Sequence, residues 1–252
     1  MQTNREIYDT AAFGDWSTYT ELETHEDFLA KKYLDSRKTT VDAGTGGGRI
    51  VLGLRQLGFT DLYAFDYVPQ FVEEVRQRDS KGDIRVSTQD ATCLAYKDHC
   101  FDQALYLAQL ICLVGSKEAR IAALRDAYRI LRPGGTALFS FLSHEVRSRG
   151  MAYRLYLAWL GALRTITRSG RNLQTLPWLR IGGNFNRGAL LDRGPYVYWY
   201  RAPEAVADLR AAGFKVNFMA SLKQLQEQRV LSSAEALLRE PMTGHLYCVC
   251  TK

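Results

Sequence analysis

VDAGTGGGR, residues 41–49, is the densest run of small residues in the chain. Five of its nine residues are Gly or Ala, and Asp42 stands two positions before the first glycine. Upstream, TTV is a short β-branched run that favours a strand. Downstream, GRIVLGLRQLG carries apolar residues at helical spacing and stops at Gly58. A glycine-rich turn between strand and helix brings main chain close to a ligand and aims helix N–H groups at it. Spacing then selects among ligands. The dinucleotide fingerprint is GxGxxG, whereas here Asp42, Gly44, Gly46 and Gly48 alternate. An acid so close to the loop is a poor neighbour for a pyrophosphate and a good acceptor for an ammonium group, directly or through water. The GKS or GKT of a P-loop is absent.

Outward from this loop, strand and helix patterns alternate. DLYAFD (61–66) reads as a strand ending on Asp66, and Pro69 suits the first turn of the following helix. IRVSTQD (84–90) is a strand ending on Asp90, and FDQALYLAQ (101–109) is a fourth. SKEARIAALRDAYRI has helical periodicity, with Ser116 as its cap and Pro-Gly-Gly as its stop, and TALFSFL (136–142) is a fifth strand. The alternation breaks over residues 143–200. It resumes with the aromatic run GPYVYWY, a helix over 203–212, GFKVNFMA as a sixth strand and HLYCVCT as a seventh. The pattern predicts an α/β fold: a Rossmann-like, seven-stranded, mostly parallel sheet with helices on both faces. A helical N-terminal segment and a helical insertion after strand five complete it.

Composition narrows the class. The 252 residues are 46 % hydrophobic and 24 % charged, ordinary values for a soluble globular protein. No run approaches the roughly 18–20 apolar residues of a membrane span, and MQTNREIYDT lacks a signal-peptide profile. A cytoplasmic location is expected. The five cysteines, 93, 100, 112, 248 and 250, are odd in number and form no CxxC, so they read as small buried hydrophobes and no metal site is expected. Charge is uneven. Between Arg147 and Arg193 nine arginines face one acid, Asp192, giving that segment about +8 against +6 for the whole chain.

The ordered motifs resemble those of the class I S-adenosylmethionine-dependent methyltransferases. DAGTGGG (42–48) is similar to their first motif, FDQALYL to their fourth, and LRPGG to the turn before strand five. The likeness covers about residues 38–142 and the final strands. It implies S-adenosylmethionine as cofactor, with Asp66 on the ribose hydroxyls, Tyr67 stacking near the adenine, and Asp90 and Ala91 at the adenine edge. Leu107 and Ala108 would lie beside the methionine moiety, and Asp42, Gly44, Gly46 and Gly48 would form the cradle. Tyr8, Trp16 and Tyr19 would close over the cofactor, with packing an equally good account of them. The expected organisation is a single methyltransferase domain: an N-terminal lid (1–37), a cofactor-binding core (38–142), a substrate-cap insertion (143–200) and the rest of the sheet (201–252).

The methyl acceptor is less determined. A sulfonium is already activated, so positioning in a desolvated pocket goes far, and no signature base is required. The Asn/Asp-Pro-Pro-aromatic motif of exocyclic-amine methylation is missing after strand four, and no proline precedes a cysteine as cytosine C5 methylation requires. An oxygen or nitrogen of a small molecule, in specialised metabolism, is the expected acceptor. A lipophilic membrane-associated quinone or lipid, RNA, and a cofactor-binding module without turnover are the alternatives. Gln109 and His144 are the candidates for handling the acceptor, His144 as general base and His25 as a lid residue, while His99 and His245 read as loop and strand-edge residues. The aromatic run Tyr196, Tyr198, Trp199 and Tyr200 would line the acceptor pocket, Tyr198 and Tyr200 on one face of the run and Trp199 on the other, suiting a ring or a cationic amine. For MAYRLYLAWLGAL (151–163) and its arginine-rich flanks, a cap, an interfacial helix, an RNA patch and a dimer contact compete.

Overall fold

The chain alternates strand and helix through β1 (Thr40–Ala43), β2 (Leu62–Asp66), β3 (Arg85–Thr88), β4 (Phe101–Tyr106) and β5 (Leu131–Leu142). Short strands follow: β6 (Thr175–Pro177), β7 (Arg180–Ile181), β8 (Asn184–Phe185) and β9 (Tyr196–Tyr198). The last two are β10 (Lys215–Ser221) and β11 (His245–Thr251). The computed structural model describes residues 21–181 and 183–252. Seven strands form one Rossmann-like sheet in the order β3-β2-β1-β4-β5-β11-β10. Every pairing is parallel except the two made by β11.

Alternating side chains feed two apolar layers, one on each face of the sheet. On one side Tyr106, Phe139, Phe141, Cys248 and Cys250 meet Ala123, Leu124 and Ala127 of the helix Lys117–Ile130. On the other, Leu105, Leu138, Tyr247 and Val249 meet Leu54 of the helix Arg49–Gln56 and Leu29 of the helix Thr24–Tyr33. The expected cap of the helix Lys117–Ile130 is present: the Ser116 hydroxyl accepts from the Ala119 N–H at 3.1 Å. Strand order reverses between β1 and its neighbours β2 and β4, so a crevice opens at their carboxyl ends.

The insertion contains the helix Met151–Ile166 and two small ladders, β6–β9 and β7–β8. The expected aromatic strand is therefore β9, paired outside the main sheet. Buried Arg164 staples the insertion: it holds Asp192 with two hydrogen bonds, at 2.9 and 2.6 Å, and donates to the carbonyls of Asn172 and Thr175. The segment's single acid is thus consumed internally. Among the described residues no helix is long and apolar enough to cross a membrane, and no cluster of His, Cys, Asp and Glu could hold a metal ion.

Candidate active site

The glycine loop is shaped by hydrogen bonds that begin inside β1. The Thr45 N–H donates to the Phe65 carbonyl at 3.0 Å, its hydroxyl donates to Asp42 at 2.7 Å, and the Gly48 N–H returns to the Thr45 carbonyl at 2.9 Å. Gly44 and Gly46 both adopt left-handed backbone, at φ +63° and +53°, which a side chain disfavours. A Cβ on Gly44 would come 2.8 Å from a Leu110 methyl, whereas one on Gly46 would meet nothing within 4 Å. Gly46 therefore leaves main chain bare along a cavity of about 370 Å³. Gly48 faces instead toward Val75 and Leu52, where a Cβ would come within 2.9 Å of Val75. It starts the helix rather than touching the cavity.

Six of the expected cofactor residues line that cavity together: Gly44, Gly46, Asp66, Tyr67, Asp90 and Ala91. Asp66 closes β2 with its carboxylate held by the N–H groups of Gly46 and Val68, each at 2.9 Å. Burial pushes its carboxyl above the usual range, against those hydrogen bonds. Asp90 is exposed at the rim, with one oxygen taking the N–H and hydroxyl of Thr92 at 2.8 and 2.7 Å. These features fit a ribosyl adenine: a fixed carboxylate for a diol, a second acid at the far edge, and Phe71, Val68 and Tyr67 as apolar and aromatic lining.

Besides Gly48, two expected positions stand off the cavity wall, and a third is not described. Asp42 is buried beneath the loop and is not among the residues that line the cavity. Burial pushes its carboxyl up to about 7, with the Thr45 hydroxyl opposing. One of its oxygens has no hydrogen-bond partner among the described residues. Leu107 is in the core, and the next residue, Ala108, takes its place on the wall. Tyr19, with Tyr8 and Trp16, lies outside the described residues. The part of the N-terminal segment that is described is pinned to the core: Glu26 binds Arg49 on the loop's helix, and the buried His25 ring meets the Tyr247 hydroxyl at 2.7 Å.

A second cavity, about 520 Å³, adjoins the first and shares Ala108 and Leu113 with it. The dividing wall is the end of β4, where Ala108 and Gln109 are both left-handed at φ +49° and +59°. The Gln109 N–H is secured by the Ser140 hydroxyl at 2.9 Å. Its side-chain N–H donates to the His245 Nδ1 at 2.9 Å, which makes His245 a neutral acceptor there, and burial keeps that histidine below its ordinary value. His245 begins antiparallel β11, so it reaches the same end of the sheet as the carboxyl ends of β4 and β5. Pattern reading missed this role because it needs the strand's direction.

The acceptor-side expectations are redistributed. Tyr198 and Tyr200 are core residues: Arg120 stacks on the Tyr198 ring at 3.7 Å and donates to the Tyr200 hydroxyl, and the Tyr198 hydroxyl donates to Glu204. Val197 of the same strand faces the second cavity. Trp199 is not on its wall but lies 4.7 Å from the Arg147 guanidinium, which also stacks on Tyr153 at 3.7 Å. His144 lines neither cavity; its N–H caps onto the Tyr200 carbonyl, and Arg147, one turn later, reaches the wall instead. The second cavity holds Arg147 and Arg180 and no acid.

Comparison with known proteins agrees with this geometry. Residues 41–139 match the family model of the methyltransferase domain. The match spans 99 of the 252 residues, and solved structures extend the likeness of fold over most of the chain. A solved S-adenosylmethionine-dependent methyltransferase from Methanosarcina mazei is similar, with a TM-score of 0.66 at 16 % identity over 89 % of this chain and 96 % of that one. The 1,6-didemethyltoxoflavin N1-methyltransferase of Burkholderia thailandensis, solved with its substrate and S-adenosylhomocysteine, has a TM-score of 0.59 at 16 % identity, covering 98 % of this chain and 87 % of that one. The [4+2]-cyclase SpnF is comparably close, at 0.62 and 16 % over 98 % and 94 % of the two chains, so this fold also carries other chemistry. Among curated proteins none matches the sequence.

Proposed function

We propose that this chain is a class I S-adenosylmethionine-dependent methyltransferase that transfers a methyl group to an oxygen or nitrogen of a small, neutral or acidic, partly aromatic molecule held in the second cavity. One observation carries the reading: two cavities of suitable size meet at Ala108 and Leu113, which line both, so a donor in one lies beside an acceptor in the other. The glycine loop, Asp66, Asp90 and Ala91 hold the nucleoside of the cofactor, which supplies a methyl group already activated by its sulfonium.

The second cavity's chemistry selects the acceptor. Arg147 already covers the Tyr153 face, and Arg180 stands on the same wall, so a cationic amine meets repulsion rather than an open ring. A phenol, enol or acidic ring nitrogen is stabilised in its ionised form by those guanidiniums, which lowers its pKa and removes the need for a general base. Gln109, oriented by His245, leaves its amide oxygen to accept from an acceptor N–H or O–H. His144 takes no part.

A panel of phenolic, enolic and heteroaromatic acids incubated with S-adenosylmethionine tests this by release of S-adenosylhomocysteine. Val197→Trp, which fills the second cavity, is expected to abolish turnover while calorimetry still registers cofactor binding. Full turnover in that variant would remove the second cavity as the acceptor site.

A further inference from the structure

The insertion carries a surface that neither cavity uses. In the helix Met151–Ile166, Met151, Leu155, Trp159 and Ile166 are 70, 65, 52 and 80 % exposed. Their spacing puts them within one arc of the helix, opposite buried Leu160 and Arg164. The Trp159 indole N–H donates to the Leu190 carbonyl at 2.8 Å, which sets the exposed side chains of Leu190 and Leu191 alongside the same stripe. Of the large hydrophobic residues exposed among the described residues, most belong to residues 151–191. Such a patch on a soluble face marks a docking surface.

The charge around it says what docks. Arg149, Arg154, Arg168, Arg171, Arg187 and Arg193 are exposed, and none forms an ion pair among the described residues. The segment's one acid, Asp192, is already bound to buried Arg164. Packing a second copy on this face would set those guanidiniums against their own counterparts with no acid between them. An RNA surface needs several rings on which successive bases stack, whereas this stripe carries a single ring, Trp159, among Met151, Leu155 and Ile166. Aliphatic side chains with one indole among them, and guanidiniums that make no ion pair among the described residues, match the acyl and headgroup layers of an anionic bilayer.

We propose that the face formed by the helix Met151–Ile166 and residues 190–191 docks the enzyme on anionic membrane surfaces, with the helix lying in the interface. At 16 residues it is about 24 Å long, too short to span, so the association is peripheral and reversible. The proposal is independent of which acceptor is methylated.

The full chain is mixed with vesicles of equimolar phosphatidylglycerol and phosphatidylcholine and sedimented. The protein is expected in the pellet at low salt, in the supernatant with pure phosphatidylcholine, and released from the anionic vesicles as salt rises. The pair Leu155→Glu with Trp159→Glu should return binding to the phosphatidylcholine level. Arg154→Gln and Arg168→Gln should each lower the partition coefficient about fivefold. Both sites are exposed, and unchanged cofactor binding by calorimetry verifies that each variant is folded. Failure to sediment with anionic vesicles overturns the proposal, as does sedimentation indifferent to these substitutions. A lipid-free dimer dissolved by Leu155→Glu overturns it too, by showing that a second copy covers the face.

Discussion

The two cavities touch, yet they are built from different materials. The first is framed by residues at the strand ends of the sheet: the bare loop at Gly46, Asp66 fixed by N–H groups, and the turn at Asp90. The second is framed by side chains that come from β4, from the start of the insertion and from β9, held together by Arg164 and Asp192. A wall set at strand ends depends chiefly on strand order and turn geometry. A wall of side chains depends on the packing of an entire inserted segment. The donor side is therefore the fixed half of the enzyme and the acceptor side the adjustable half.

Substitutions should separate the halves. The largest effect falls on the donor side. Asp66→Ala removes two charge-assisted acceptors for a diol and should weaken cofactor binding by about 3–6 kcal/mol, read by calorimetry; near-normal affinity would detach Asp66 from the cofactor. Next is Arg164→Met, which strands Asp192 in a buried site and should cost about 3–5 kcal/mol in unfolding free energy. If the insertion forms only the acceptor side, the folded fraction keeps its cofactor affinity while the acceptor KM rises; equal losses in both would merge the two halves.

Asp42→Asn isolates the loop's own balance. The folded carboxyl sits near 7, above its unfolded 3.8, so the native state holds a proton there that the unfolded chain has released. Its contribution is complete below pH 3.8 and is lost as pH rises through about 7. The wild type should lose about 2–4 kcal/mol relative to Asp42→Asn between those values in cofactor-free denaturation. Parallel pH profiles for the two proteins would show that Asp42 is ionised throughout. The smallest effects concern the wall between the cavities. Gln109→Ala should lower kcat/KM about tenfold, the cost of one hydrogen bond, and His144→Ala less than about twofold, since it touches neither cavity. A larger loss for His144→Ala than for Gln109→Ala would restore it as the base.

Legibility in the sequence follows the same division. The seven strands, the loop and the acids that close β2 and follow β3 were readable because strand, turn and helix periods are local, and each glycine or acid stands at a fixed place in that local pattern. The burial of Asp42 was not readable, because a strand's last inward residue and its first loop residue look alike in sequence, and only the fold buries one of them. Tyr198 and Tyr200 share a face, as alternation requires, but which face meets the cavity was set by Arg120, a residue some eighty positions away. His245 was hidden for a similar reason: only the antiparallel direction of β11 carries its first residue to the catalytic end. The arginine excess was visible, whereas its division into one buried staple, two cavity residues and an exposed rim was not.

The consecutive left-handed residues Ala108 and Gln109 have a consequence for engineering. Each holds a side chain in a backbone region that costs a non-glycine residue about 1 kcal/mol or more. Ala108→Gly would relieve part of that strain and make the protein harder to unfold. The same relief would loosen the partition between donor and acceptor. Thermal tolerance and turnover are thus coupled with opposite sign through one methyl group, and selection for a sturdier enzyme would move first toward a slower one.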